Sequence, residues 1–167
     1  MEDGMVYVYF GEGKGKTSAA FGLAMRASGR GKRVLIAQFL KNNDSGERNA
    51  ANLLNNMTVL PCPDRVTFTS DMTEQEKEDM HIYYDSLFRR AADMVLREEF
   101  DAVVFDEILT AVEAGLLDKT RLTDFLKNRS QDTEIILTGT SADEDIIALA
   151  DYVSKIERIK QPESPEA

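Results

Sequence analysis

The sequence predicts an α/β fold, a single domain whose mainly parallel central sheet is flanked by helices. Three observations carry this. Short apolar, β-branched runs alternate with segments of helical period. A glycine-rich stretch, Gly11-Glu12-Gly13-Lys14-Gly15-Lys16-Thr17-Ser18, joins the first such run to the first helical segment. A later apolar run ends in an acid pair, Asp106-Glu107.

The elements follow in order. Residues 5–10, MVYVYF, are apolar, aromatic and β-branched, and read as a buried strand that the glycines end. From Lys16 to about Gly29 the residues are small, with Ala20, Leu23, Ala24 and Ala27 on one stripe, which predicts a helix. RVLIAQFL (33–40) is a second strand, KNNDSGER a polar loop, and residues 47–55 a short helix. MTVLP and VTF are weaker strand candidates. Residues 73–99 form a long amphipathic helix, with Thr73 as N-cap and Glu76 at the capping-box position. Its core stripe is Met80, Tyr83, Tyr84, Leu87, Phe88, Ala91 and Val95. DAVVFDE (101–107) and TEIILTG (133–139) are strands, and RLTDFLKN (121–128) and DEDIIALADY (143–152) are helices. YVSKIERIK alternates like an edge strand. Residues 1–160 therefore make one domain, and 161–167, QPESPEA, an acidic, proline-containing tail predicted to be disordered.

Composition narrows the function. Of 167 residues, 43% are hydrophobic and 30% charged, which fits a soluble globular domain. No apolar run approaches the roughly 20 residues that span a bilayer. The first residues are acidic where a signal peptide would be basic, so a cytoplasmic location and no membrane partner are expected. A net charge of -10 argues against a nucleic-acid partner. It leaves room for one anionic ligand held in a local nest of N–H groups and lysines. One Cys and one His cannot build a zinc cage. Cys62, between two prolines, reads as a loop thiol without a role, and His81 as a solvated residue.

The sheet's ligands are expected at the carboxyl ends of its strands. That rim gathers residues 11–17, the segment after Gln38, Asp106-Glu107 and Thr138-Gly139. Backbone N–H groups of the glycine loop can converge on phosphate oxygens, with Lys16 adding charge and the Thr17 hydroxyl facing Mg²⁺. An acid after the later strand holds such a metal, directly or through water. Asp106 could instead cap the helix that follows it. The loop departs from the usual pattern: residue 10, where its first glycine belongs, is Phe10.

These stretches resemble the P-loop ATP:corrinoid adenosyltransferases. The shared pieces are GEGKGKTSAAFGLAMRASGRGKRV, QFLK, SGE, FT, VVFDEI, AGLL, LKNR, ILTG and LADYVS, spread from about Met5 to Ile159. The resemblance implies a RecA-like, P-loop NTPase-like domain that binds ATP in reversed orientation through a loop shortened at its start. It implies that the Co(I) of a corrinoid attacks C5′ of ATP and that triphosphate leaves, so no catalytic side chain is needed. It implies ATP contacts from Gly11, Glu12, Gly13, Lys14, Gly15, Lys16, Thr17, Ser18, Arg26, Gln38 and Glu47. Thr17, Asp106 and Glu107 would hold or support Mg²⁺ (or Mn²⁺), and Phe68 would pack on the corrinoid side. A homodimer and a reductase or flavoprotein electron donor are implied as well. Three positions depart from the family's pattern: Ser70 stands where a Trp is usual, Thr140 where an Arg is usual, and QPESPEA where a basic tail is usual. The alternative is a Mg-ATP-binding paralogue with weakened or lost transfer, acting in regulation or delivery. An ordinary P-loop ATPase or kinase fits the displaced glycine less well.

Overall fold

The computed structural model describes residues 4–63, 66, 69–97 and 99–162. Its centre is a six-stranded, all-parallel sheet. The strands are β1 (Val6–Phe10), β2 (Val34–Gln38), β3 (Met57–Val59), β4 (Ala102–Asp106), β5 (Glu134–Gly139) and β6 (Tyr152–Lys155), in the order β3-β2-β4-β5-β1-β6. The helices are α1 (Lys16–Gly29), α2 (Gly46–Ala51), α3 (Glu74–Leu96), α4 (Ile108–Glu113), α5 (Lys119–Asn128) and α6 (Glu144–Ile147), with a 3₁₀ turn at Thr69–Asp71.

Strand alternation builds two cores. Val8, Leu35, Val103, Phe105, Ile135 and Leu137 face one side, where α3, α4 and α5 supply Tyr84, Phe88, Ile108 and Phe125. Val34, Ile36, Ala102, Val104 and Ile136 face the other, under Ala20, Phe21 and Ala24 of α1. Both faces of β2 and β4 are therefore buried, which is why these strands read as unbroken apolar runs. Phe105, Phe88 and Phe125 lock the first core with ring centroids 5.5–5.7 Å apart.

Expected and observed elements differ where tertiary contacts intervene. The second strand stops at Gln38 because Leu40 takes a left-handed conformation (φ 54°), with its N–H donating to Tyr84 Oη at 2.9 Å. The helix expected over 143–152 is only Glu144–Ile147. Beyond it the chain docks on β1: Val6 N–H donates to the Asp151 carboxylate at 2.7 Å, and Asp151 N–H to Val6 O at 2.9 Å. Those two bonds start β6, which ends at Lys155 rather than running to residue 160. The helix expected over 47–55 closes at Ala51, and the one over 73–99 at Leu96. The VTF strand candidate falls mostly outside the described residues, as does the tail beyond residue 162.

Candidate active site

The glycine loop after β1 is shaped by a neighbour as well as by its own sequence. The chain leaving β6 passes directly against it. Ile156 N–H donates to Phe10 O at 2.7 Å, Gly13 N–H to Ile156 O at 2.8 Å, and Arg158 to Glu12 O at 3.2 Å. A Cβ on Gly11 would lie 2.3 Å from Ile156 O, and one on Gly13 2.7–2.9 Å from Ile156 and Glu157. Both positions thus require glycine for close chain approach, and Gly11 also for its φ of 120°. Gly11 N–H donates to the carbonyls of Gly139 and Thr140. The N–H groups of Gly11 and Gly13 are therefore committed within the fold.

Lys16 curls back over the loop, its Nζ donating to Gly11 O at 2.7 Å and Gly13 O at 2.9 Å. α1 begins at Lys16 with no side-chain cap and no acid in its first turn. Its first N–H groups and the positive end of the helix dipole are thus turned to the rim, where an anion is favoured. Glu12, Lys14 and Ser18 are exposed at the same end.

Asp106, at the end of β4, is fully buried and gathers the rim. Its Oδ1 accepts from Thr17 Oγ1 at 2.9 Å and from Thr138 Oγ1 at 2.7 Å. Its Oδ2 accepts from Gln38 Nε2 at 2.9 Å and Lys41 Nζ at 2.6 Å. Four parts of the chain, α1, β2 with its following loop, β4 and β5, thus meet on one carboxylate. Its hydrogen bonds and the ion pair with Lys41 offset the cost of burying the charge. Asp106 does not cap α4. The N-cap is Glu107, itself left-handed (φ 59°), whose N–H donates to Thr138 Oγ1 and whose carboxylate accepts from Thr110 Oγ1 at 2.6 Å. A non-glycine residue in that conformation costs about 1–3 kcal/mol and persists where its surroundings over-determine it.

The structure brings Thr17, Gln38, Asp106 and Lys16 to the rim, with Glu107 beside them. It sets Arg26 apart: exposed in the last turn of α1, ten residues and about 15 Å along the helix from Lys16. Glu47 lies in the first turn of α2, at the edge of an apolar cleft of about 460 Å³ that Phe21, Met25 and Leu54 also line. Phe68 lies outside the described residues. Thr140 donates to Glu113 at 2.9 Å, and Ser70 is exposed on the 3₁₀ turn.

Sequence reasoning missed Arg48. It is buried, and among the described residues all its partners are neutral: Gln38 Oε1 at 3.0 Å, Cys62 Sγ at 3.1 Å, Asn43 Oδ1 at 3.1 Å and Leu60 O at 3.0 Å. By taking the Gln38 oxygen it turns the Gln38 NH₂ toward Asp106. Cys62 is correspondingly a buried thiol rather than a bare loop residue, and burial raises its pKa more than the Arg48 charge lowers it. The one available signal was Arg48 following Gly46-Glu47 at a helix start, which does not distinguish a buried guanidinium from a solvated one.

A parallel sheet with a lysine-threonine loop after one strand and a buried acid after another belongs to the P-loop α/β class. Its relatives narrow that class. The family described as ATP:corrinoid adenosyltransferase BtuR/CobO/CobP matches residues 2–166. The corrinoid adenosyltransferase of Escherichia coli (strain K12) is 34% identical over 160 residues, 95% of this chain and 79% of its own. Corrinoid adenosyltransferase CobA of Salmonella typhimurium shows the same identity and coverage. A corrinoid adenosyltransferase from Sinorhizobium sp is 31% identical over 166 residues, 96% of this chain and 75% of its own. The chain belongs to the ATP:corrinoid adenosyltransferase family, a family of transferases.

Proposed function

We infer that this chain transfers the 5′-deoxyadenosyl group of ATP to the Co(I) of a corrinoid and releases triphosphate. The observation that carries the reading is the junction of Thr17 with Asp106 at the head of the loop helix, in a chain matched to the family over nearly its whole length. The corrinoid is the nucleophile, so the chain's task is to bind, orient and stabilise charge.

Each residue has a part in that task. The N–H groups of residues 14–18, free of the strap that engages Gly11 and Gly13, would receive phosphate oxygens. Lys14 and Lys16 would add charge, with Lys16 leaving the loop carbonyls it now holds. The donor set fits a hard cation: a buried carboxylate beside a hydroxyl, with Glu107 adjacent, leaves positions for triphosphate oxygens and water. Thr17 and Asp106 would hold Mg²⁺ or Mn²⁺, and Glu107 would support them. Mg²⁺, when bound, supplies positive charge to a leaving triphosphate. Fixed N–H dipoles do the same without reorganising. Gln38 orients Asp106, and Arg48 orients Gln38. Arg26, Glu47 and Phe68 enter this reading only through the family resemblance, the first two on the nucleotide side and the last on the corrinoid side. The same resemblance supports a homodimer in the cytoplasm, supplied with electrons by a flavoprotein or other reductase.

Incubation with Mg-ATP and chemically pre-reduced cobalamin tests the reaction. The absorption change of a new Co–C bond is expected, dependent on both enzyme and metal. ATP binding without any such change would favour a nucleotide-binding paralogue.

A further inference from the structure

Lys41 lies where the metal reading needs room. Its Nζ is 2.6 Å from Asp106 Oδ2 and 2.8 Å from Thr17 Oγ1, bridging the two side chains assigned to the cation. The Thr17 proton points to Asp106 Oδ1, so the ammonium faces the hydroxyl's lone pairs. A magnesium ion sits 2.0–2.1 Å from each ligand oxygen. An ion ligated by both Thr17 Oγ1 and Asp106 Oδ2 would fall in the space that Nζ fills. The lysine's aim is set by the fold. Phe39 N–H donates to Asp106 O at 2.8 Å, and Leu40 is held left-handed by Tyr84. The Lys41 side chain keeps 28% of its surface exposed, so its four-carbon stem has a way out toward the rim.

We propose that Lys41 is a built-in cation that competes with the divalent metal for Thr17 and Asp106 and yields when metal arrives with nucleotide. This rests on the metal–nucleotide reading given above. Charge decides which form of the metal can displace it. A free divalent ion would expel one positive charge, which then has no partner, from a site with a single fully buried carboxylate. A metal–triphosphate complex brings an anion with which the displaced ammonium can pair at the rim. Lys41 therefore weakens binding of free metal and makes metal and nucleotide binding mutually dependent. By linkage, each strengthens the other by the same factor.

The test titrates Mn²⁺ into the full chain without nucleotide, following free Mn²⁺ by electron paramagnetic resonance, and repeats the titration with ATP present. Lys41→Met should bind Mn²⁺ alone at least tenfold more tightly than wild type, and the strengthening of Mn²⁺ binding by ATP should shrink. Lys41→Gln, a smaller neutral side chain, provides the same comparison if the methionine variant does not fold. Lys41→Arg, which keeps the charge, should stay weak. A folded neutral variant that binds Mn²⁺ alone no better than wild type overturns the proposal. Asp106→Asn separates the two levels. If it leaves Mn–ATP affinity unchanged, the metal is not at Asp106 and both readings fall. If it weakens Mn–ATP binding while the neutral Lys41 variants fail to tighten Mn²⁺ alone, only the role of Lys41 falls.

Discussion

Lys16 carries two burdens, one in the free loop and one toward phosphate. Its bonds to Gly11 O and Gly13 O close the loop on itself, and Lys16 is the first residue of α1. Lys16→Ala should weaken Mg-ATP binding more than tenfold, about 1.4 kcal/mol, a modest figure for a charge-assisted phosphate contact. Calorimetry giving equal affinity in the mutant would remove the loop from the site. The glycines beside Lys16 answer to a different constraint. The sequence pattern marks Gly11 and Gly13 as positions where side chains would block phosphate. In the folded chain, it is Ile156 and Glu157 that forbid a side chain there. Composition and spacing could not reveal this, because the strap lies more than 140 residues away. The meeting of Thr17, Gln38 and Asp106 at one rim was legible, since each sits at or near a strand or helix end whose type the sequence declares. Arg48 was not, because nothing in the sequence separates a buried arginine held by neutral groups such as Gln38 and Leu60 O from a solvated one.

Among the elements, α3 was read most completely. Thr73 accepts the Glu76 N–H, and the Glu76 carboxylate accepts the Thr73 N–H at 2.7 Å, closing the capping box that the spacing predicts. The backbone bond from Thr73 and then its side-chain bond hold the Glu76 pKa below its ordinary 4.5. The sign follows: a depressed folded pKa adds stability above the unfolded value, and that stability is lost as pH falls through the lower folded value. The start of α3 should therefore loosen in acid below about pH 4.5. Hydrogen exchange at the N–H groups of residues 74–77 should speed up there in wild type, and show a weaker pH response in Glu76→Gln. Equal pH responses in the two proteins would remove the carboxylate from the cap's energetics. Thr73→Ala should lower stability by about 1 kcal/mol. The short α6 and the parallel strand β6 after it were misread as a longer helix and a longer edge strand. Local period favoured helix through residue 152, but two hydrogen bonds between Asp151 and Val6 outweighed it.

For the whole molecule, sheet type and the rim were legible because two periods, helical and strand, alternate along one chain. Strand order was not, since nothing local states that β1 lies between β5 and β6. That order brings the loop after β1, the end of β5 and the segment after β6 together, and so sets which loop N–H groups remain for a ligand. On the proposed reading, this arrangement serves displacement at C5′ of ATP rather than attack on the γ-phosphate. The most direct test is the fate of the phosphates in a single turnover with Mg-ATP and pre-reduced Co(I) cobalamin, followed by phosphorus NMR alongside the corrinoid spectrum. One intact triphosphate is expected for each Co–C bond formed, and negligible ADP when corrinoid is left out. Rapid, metal-dependent release of ADP and orthophosphate without Co–C bond formation, abolished in Lys16→Ala, would contradict it.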